Sequence, residues 1–386
     1  MAKFLDLPME LVVEIMSFLP AESLVRFKCV CKLWYSIIND RGFVAKHLRN
    51  ATKISSTKSL CFTGYGKEFE EPVSSFLTIY DDDKNGEHVY SVVEDSLSPF
   101  FQRHRDEYVV SSQCNGIFCL YGEQITNNVI LCNPATREFK LLPDSCFCVK
   151  TCGIMFGFGY DPRVDSYKVV RAVLLDCGDN LSLRAEVCTV GSSSWREIKL
   201  NFSLSQLEVL ILSIAYGRNV HKQRYCKGAC YWLLSPMRCE EETIIRFDMS
   251  NEQFYRISLP ININGEQEGR SLHTSLAIWN ESVALFRYSY DDVTRPIDIW
   301  VMLDSSGVSK ASCCWTKQLS IGPLEGICRP ILFWKTDEIL MSTDDGRAVS
   351  YNLHAKRLGN LPIPPGSLMC NASVYIKSLV SVHGRI

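Results

Sequence analysis

ILCNPATREFKLLP, Ile130–Pro143, sets out a plan that much of the chain repeats. An apolar run ends at Asn133-Pro134, a polar turn follows, a second run carries Phe139, and Leu142-Pro143 closes the unit. Asn bonds to its own backbone and Pro presets φ, so this is a strand, a turn and a returning strand. VCTVGSSSWREI (187–198), IRFDMSNEQFYRISLP (245–260), IWVMLDSSGVSKASCCWTKQLSI (299–321) and VSYNLHAKRLGNLPIP (349–364) share the plan. The residues before the turns are Asn133, Val190, Asp248, Val301 and Asn352, separated by 57, 58, 53 and 51. A period near 50 with four strands per unit predicts a kelch-like β-propeller.

The runs between these hairpins agree. Val129–Cys132, Tyr167–Ala172, Ala185–Val190, Ala229–Leu233, Val283–Tyr288 and Ile339–Ser342 are short and rich in β-branched and aromatic residues, and turn residues separate them. Residues 50–386 have room for about six or seven blades. SVYIKSLVSV (373–382) is strand-like and is expected to complete the first blade, the usual way to protect a sheet edge. Leu204–Ile214 reads as a short helix or as alternating strand. Trp195, Trp232, Trp300, Trp315 and Trp334 are expected as blade core.

Residues 1–49 follow a different period. FLDLPMELVVEIMSFLPAESLVRFKCVCKLWYSIINDRGFVAKHLR, Phe4–Arg49, places Leu7, Leu11, Ile15 and Leu19 four apart, the spacing of one helix face. Pro8 suits the first turn, where its missing N–H costs nothing, and Pro20 ends one helix and opens the next. Leu24, Phe27, Leu33, Trp34, Ile37 and Ile38 continue at helical spacing until Asn39-Asp40. A bundle this small is marginal alone, so its surplus apolar side must cover something else.

Composition excludes several functions. The formal net charge is −2 over 386 residues, so there is no basic excess for nucleic acid. Asp6, Glu10 and Glu14 interrupt any signal-peptide core, and no run reaches the length of a membrane span. The chain therefore reads as soluble, in the cytoplasm or nucleus, without nucleic-acid or membrane partners. Eighteen cysteines contain no C-x-x-C pair, so they read as small buried apolar residues rather than metal ligands. Asp81-Asp82-Asp83-Lys84-Asn85-Gly86 begins like a calcium loop, but Val92 stands where the bidentate acid belongs. Gly157-Phe158-Gly159 lacks a third glycine and a following helix, and reads as a blade turn leading into Tyr160-Asp161-Pro162. No G-x-S-x-G elbow occurs, and no catalytic residue, cofactor or metal site is expected.

The N-terminal pattern resembles an F-box. The carriers are Leu7-Pro8-x-Glu10-Leu11, Ile15, Leu19-Pro20, Ser23-Leu24, Arg26–Val30, Lys32, Trp34 and Phe43…His47-Leu48. The remainder resembles the plant F-box-associated domain, through Cys114-Asn115-Gly116, Asn133–Arg137 with Leu142-Pro143, Gly157–Asp161, Tyr167–Val170, Ser194-Trp195-Arg196 and Phe247-Asp248-Met249. Among such proteins it looks most like the S-locus F-box group. The resemblance implies an all-α F-box at 1–49 and an all-β target-binding domain at 50–386. It also implies a Skp-type adaptor bound through Leu7, Pro8, Leu11, Ile15, Leu19, Pro20, Leu24 and Trp34, and through that adaptor a cullin ligase. The expected product is a ubiquitinated protein target; for some members of the S-locus group that target is a secreted-type ribonuclease of the pistil, recognised in self-incompatibility. Loops 66–72, 81–88 and 262–271 are expected target contacts. A non-degradative scaffold and a propeller enzyme are the alternative functions.

Overall fold

The computed structural model describes residues 7–53, 57–65, 72–82, 87–94, 108–122, 128–147, 151–176, 181–216, 223–235, 242–260, 272–289, 294–303, 314–361 and 371–384. Four helices come first: α1 Met9–Met16, α2 Ala21–Phe27, α3 Lys32–Ile38 and α4 Arg41–Lys53. Pro8 and Pro20 are the residues immediately before α1 and α2, where a proline sacrifices no helical hydrogen bond. The Cys31 sulfur accepts the Trp34 N–H at the start of α3, and Asp40 Oδ1 accepts the Phe43 N–H at 3.0 Å at the start of α4. α4 runs on to Lys53, past the expected boundary at residue 49.

Among the described residues, all remaining elements but one are strands. Five sheets take four consecutive strands each: β4 Tyr108–Cys114 to β7 Glu138–Leu141, with β5 Ile117–Gly122 and β6 Val129–Asn133; β8 Thr151–Asp161, β9 Ser166–Asp176, β10 Leu181–Thr189 and β11 Arg196–Ile198; β12 Arg224–Cys226, β13 Ala229–Leu234, β14 Thr243–Asp248 and β15 Gln253–Ser258; β16 Leu272–Trp279, β17 Ser282–Ser289, β18 Ile297–Leu303 and β19 Cys314–Ile321; β20 Ile327–Phe333, β21 Glu338–Thr343, β22 Ala348–Asn352 and β23 Arg357–Asn360. A further four-stranded sheet is composite. It joins β1 Thr57–Tyr65, β2 Pro72–Asp82 and β3 Glu87–Glu94 to β24 Asn371–Tyr375, which pairs antiparallel with β1. The described residues thus give five contiguous blades plus one composite blade, where the repeat spacing left six or seven open.

The first strand of each contiguous blade, and β24 of the composite one, lies nearest the neighbouring blades. Contacts run from β4 to β8, β8 to β13, β12 to β16, β16 to β20, β20 to β24 and β24 to β4, which closes a ring. The core lies between blades rather than at one centre. Trp232 and Trp334 are fully enclosed, Trp195 nearly so, and Trp300 and Trp315 are partly buried.

The repeated turn has a definite geometry. Asn133, Asp248 and Asn352 end the third strand of their blades, and each side-chain oxygen accepts a backbone N–H two residues on, at 3.0 Å in all three cases. Four residues after each lies a left-handed residue: Arg137 at φ 58°, Glu252 at 55° and Lys356 at 51°. The type of turn therefore sets the period. Val301 departs from this pattern, because β18 continues past it to Leu303.

One expectation is corrected, and one open reading is resolved. Gly157 and Gly159 lie inside β8, not in a turn. They are required by close approach: a Cβ on Gly157 would lie 2.5 Å from the Trp232 ring, and one on Gly159 would lie 2.3 Å from Tyr225. Leu204–Tyr216 forms a helix, α5, because Leu207, Leu210, Ile211 and Ile214 share a face; Leu210 and Ile214 are buried with residues of β8, β9 and β10.

Candidate adaptor-binding face

Val12 and Met16 turn inward from α1, together with Ala21 and Leu24 of α2, Ile38 of α3 and Phe43 and Val44 of α4. This core is continuous with that of the neighbouring blades, reaching Leu379, Val380 and Val382. The helices are seated by residues 376–384, which follow β24. Glu22 of α2 pairs with Lys377 at 2.9 Å. Asn133, itself fully buried, donates from Nδ2 to the carbonyls of Ser378 at 3.1 Å and Val380 at 2.7 Å. Ser378 Oγ donates to the Asn115 carbonyl at 2.5 Å, and the Val382 N–H to Glu138 at 3.0 Å. Gly116 must be glycine, since it has φ 87° and an added Cβ would lie 2.4 Å from the Ile376 carbonyl. The Cys114-Asn115-Gly116 and Asn133–Arg137 motifs therefore hold the seat of the helices.

The helices brace one another by polar contacts too. Lys46 of α4 pairs with Glu14 of α1, and Asn50 Nδ2 donates to Ser17 Oγ at 2.8 Å. His47 Nε2 meets the Leu19 carbonyl at 2.9 Å. Burial pushes the His47 pKa down, outweighing the opposing pull of that carbonyl and of Glu22, so the ring stays neutral.

With the inner face committed, the outer face of α1 is left uncovered. Leu7, Leu11, Ile15 and Phe18 are 40 to 55% exposed and follow one another at spacings of four, four and three. Met9, Val30, Leu33 and Tyr35 are exposed as well. So large an exposed apolar surface on a small helical unit marks a place for a partner. Of the eight residues assigned to such a face from the sequence, Leu7, Pro8, Leu11, Ile15 and Pro20 are exposed. Leu19 is half-buried against the core, and Trp34 is half-buried with its ring 5.3 Å from that of Phe27. Leu24 requires correction: it has no exposed surface and is a core residue, because α2 turns that side toward the bundle and its seat. The sequence reasoning missed Phe18, which continues the stripe three residues after Ile15 and could have been found from that spacing.

The blade of β8–β11 is held by buried charge. Lys168 Nζ donates to Asp161 at 2.6 Å, to Glu252 at 2.8 Å and to the Met249 carbonyl at 2.9 Å, joining two blades. Burial alone would raise the Asp161 pKa; hydrogen bonds from Lys168, Ser250 and the Arg163 N–H outweigh it and hold it below the usual carboxylate range. Arg171 pairs with Glu186 in the same blade, both fully buried, and stacks over Trp195 at 4.5 Å. These groups are spent on structure. Of the loops expected to meet a target, 66–71, 83–86 and 262–271 lie outside the described residues. No described helix is long and apolar enough to cross a membrane.

Residues 73–382 match the family described as the F-box associated beta propeller domain. The chain belongs to that family. Residues 4–46 match the F-box domain, so this family member pairs an F-box with its associated propeller. Among its relatives is the F-box/kelch-repeat protein At3g23880 of Arabidopsis thaliana, 27% identical over 384 residues and spanning 97% of this chain and 96% of that one. The F-box protein CPR1 of Arabidopsis thaliana is 24% identical over 397 residues, 97% of this chain and 88% of that one. Among solved structures, an oligogalacturonate lyase from Vibrio parahaemolyticus aligns over 79% of this chain and 85% of that one, at 10% identity and a TM-score of 0.40.

Proposed function

We propose that this F-box protein is the substrate-recognition subunit of an adaptor–cullin–F-box ubiquitin ligase, acting in the cytoplasm or nucleus. The observation that supports it is the uncovered apolar stripe Leu7, Leu11, Ile15 and Phe18, flanked by Pro8 and Pro20, within the F-box. A Skp-type adaptor covers this stripe, with half-buried Leu19 and Trp34 of the same helical unit as lesser contacts. The propeller, residues 50–386 in this division, holds the protein target. Such a receptor catalyses nothing; it raises the local concentration of the target beside an activated ubiquitin. It needs no cofactor.

Burying a large apolar side chain contributes about 1.5–3 kcal/mol. Replacing Leu7, Pro8 and Leu11 with Ala removes two such side chains, so adaptor affinity should fall by about two to four orders of magnitude. Co-purification of the triple variant with the adaptor checks this, alongside a melting curve showing that the propeller remains folded. Undiminished capture by a folded variant overturns the proposal. A scaffold that spares its target differs in one observable, since target half-life is then the same with and without the receptor. The narrower reading, in which the target is a secreted-type ribonuclease, draws on the S-locus resemblance and on the acidic balance of the propeller, as opposite charges speed association. Salt-sensitive capture of a basic ribonuclease by the full chain tests it.

A further inference from the structure

The ring encloses a cavity of about 260 Å³, walled by Ser112 and Gln113 of β4, Arg224 and Tyr225 of β12, Phe333 of β20 and Ser373 of β24, among others. Its polar groups are few and specific. Gln223, immediately before β12, is buried and clamps Phe158 of β8, accepting its N–H at 2.8 Å and donating to its carbonyl at 3.0 Å. That clamp fixes the start of the strand that carries Arg224. The Arg224 guanidinium makes one hydrogen bond, from Nη1 to the Gln223 carbonyl at 3.2 Å, and has no carboxylate partner among the described residues. Two polar atoms of residues that line the wall, Ser112 Oγ and Gln113 Oε1, lie beneath its accessible surface and have no partner among the described residues.

These features define an occupant. Desolvation lowers the Arg224 pKa to about 10, so the group is cationic at neutral pH. A desolvated cation without a counter-charge is costly, and the guanidinium fork matches a carboxylate in shape and charge. No other charged side chain is among the described residues of the wall, so one negative charge balances the site. Ile278, Leu332, Phe333 and Val374 supply apolar wall for a carbon skeleton. We propose that the channel binds a small organic acid, with its carboxylate on Arg224. The cavity is near the lower end of ligand-pocket sizes, which favours a compact molecule. Occupancy would bridge β4, β12, β20 and β24, and so tie the blades that close the ring to those opposite. This does not depend on the adaptor reading.

The test uses the full chain and two isosteric probes, mandelate and mandelamide, followed by ligand-detected NMR. Mandelate should bind in the millimolar range or tighter and mandelamide at least about tenfold more weakly. Arg224→Gln should remove that preference, and Arg224→Lys should retain part of it. If Arg224→Gln fails to fold, the acid-to-amide comparison on the native chain decides alone. Equal binding of acid and amide overturns the proposal, as does no binding of mandelate, lactate or 3-hydroxybutyrate at millimolar concentration.

Discussion

Asn133→Ala should loosen residues 376–384 far more than it loosens its own turn. Asn133 makes three bonds within a site that excludes water: two donated to the Ser378 and Val380 carbonyls, and one accepted from the Ala135 N–H. At about 1 kcal/mol net per bond, the loss is about 3 kcal/mol. Asn352 is the internal control. It occupies the same turn position in its blade but accepts only from the His354 and Ala355 N–H groups, where water can replace it. Asn352→Ala should therefore cost only about 1 kcal/mol. The 2 kcal/mol difference, approximately, belongs to the tail and corresponds to about a 30-fold change in its opening equilibrium. Hydrogen exchange read by mass spectrometry on peptides spanning 376–382 measures it, with peptides of β20–β23 as the reference. Unchanged tail protection in Asn133→Ala, or equal loss in both variants, would refute the assignment of that side chain to the seat.

Leu24→Ala should cost about 2–5 kcal/mol of helical-module stability, while Leu11→Ala should stay within about 0.5 kcal/mol, in denaturant unfolding of the free chain. Gly159→Ala forces a Cβ against the Tyr225 ring and should cost about 1–3 kcal/mol by the same measurement, with Gly191→Ala as a control that has open space but a positive φ. The lowered His47 pKa means that the unfolded chain binds more protons than the folded one just below pH 6.5; module stability is fully present above that pH and should fall as pH drops, and His47→Gln should flatten the profile. Lys168→Met leaves Asp161 buried without its cation and should cost about 3–5 kcal/mol near neutral pH, visible as a lower thermal midpoint.

The parts of this fold that were legible in the sequence are those that local chemistry writes. An Asx turn needs its Asn or Asp at one position and a left-handed residue four later, so Asn133, Asp248 and Asn352 advertise the period. Helical spacing likewise exposed the F-box stripe. What the sequence hides depends on distant residues. Leu11 and Leu24 both sit at helical spacing, and only the placement of α2 against the bundle and the tail separates an exposed face from a core. Gly157-Phe158-Gly159 is a clearance for Trp232 and Tyr225, some 65 to 75 residues further on, and nothing near it says so. Arg224 in HKQRYC looks like any surface arginine until the ring closes around it.

The strand that completes the composite blade and the segment that seats the F-box are continuous, and both are made after every other described element. During synthesis the helices emerge well before the surface they rest on. A chain halted before residue 371 would leave the ribosome with its adaptor-facing stripe already made, and with neither a closed ring nor a footing for α2. Order of assembly is thus written into the topology: the helices and the propeller become one body only once residues 371–384 have been made.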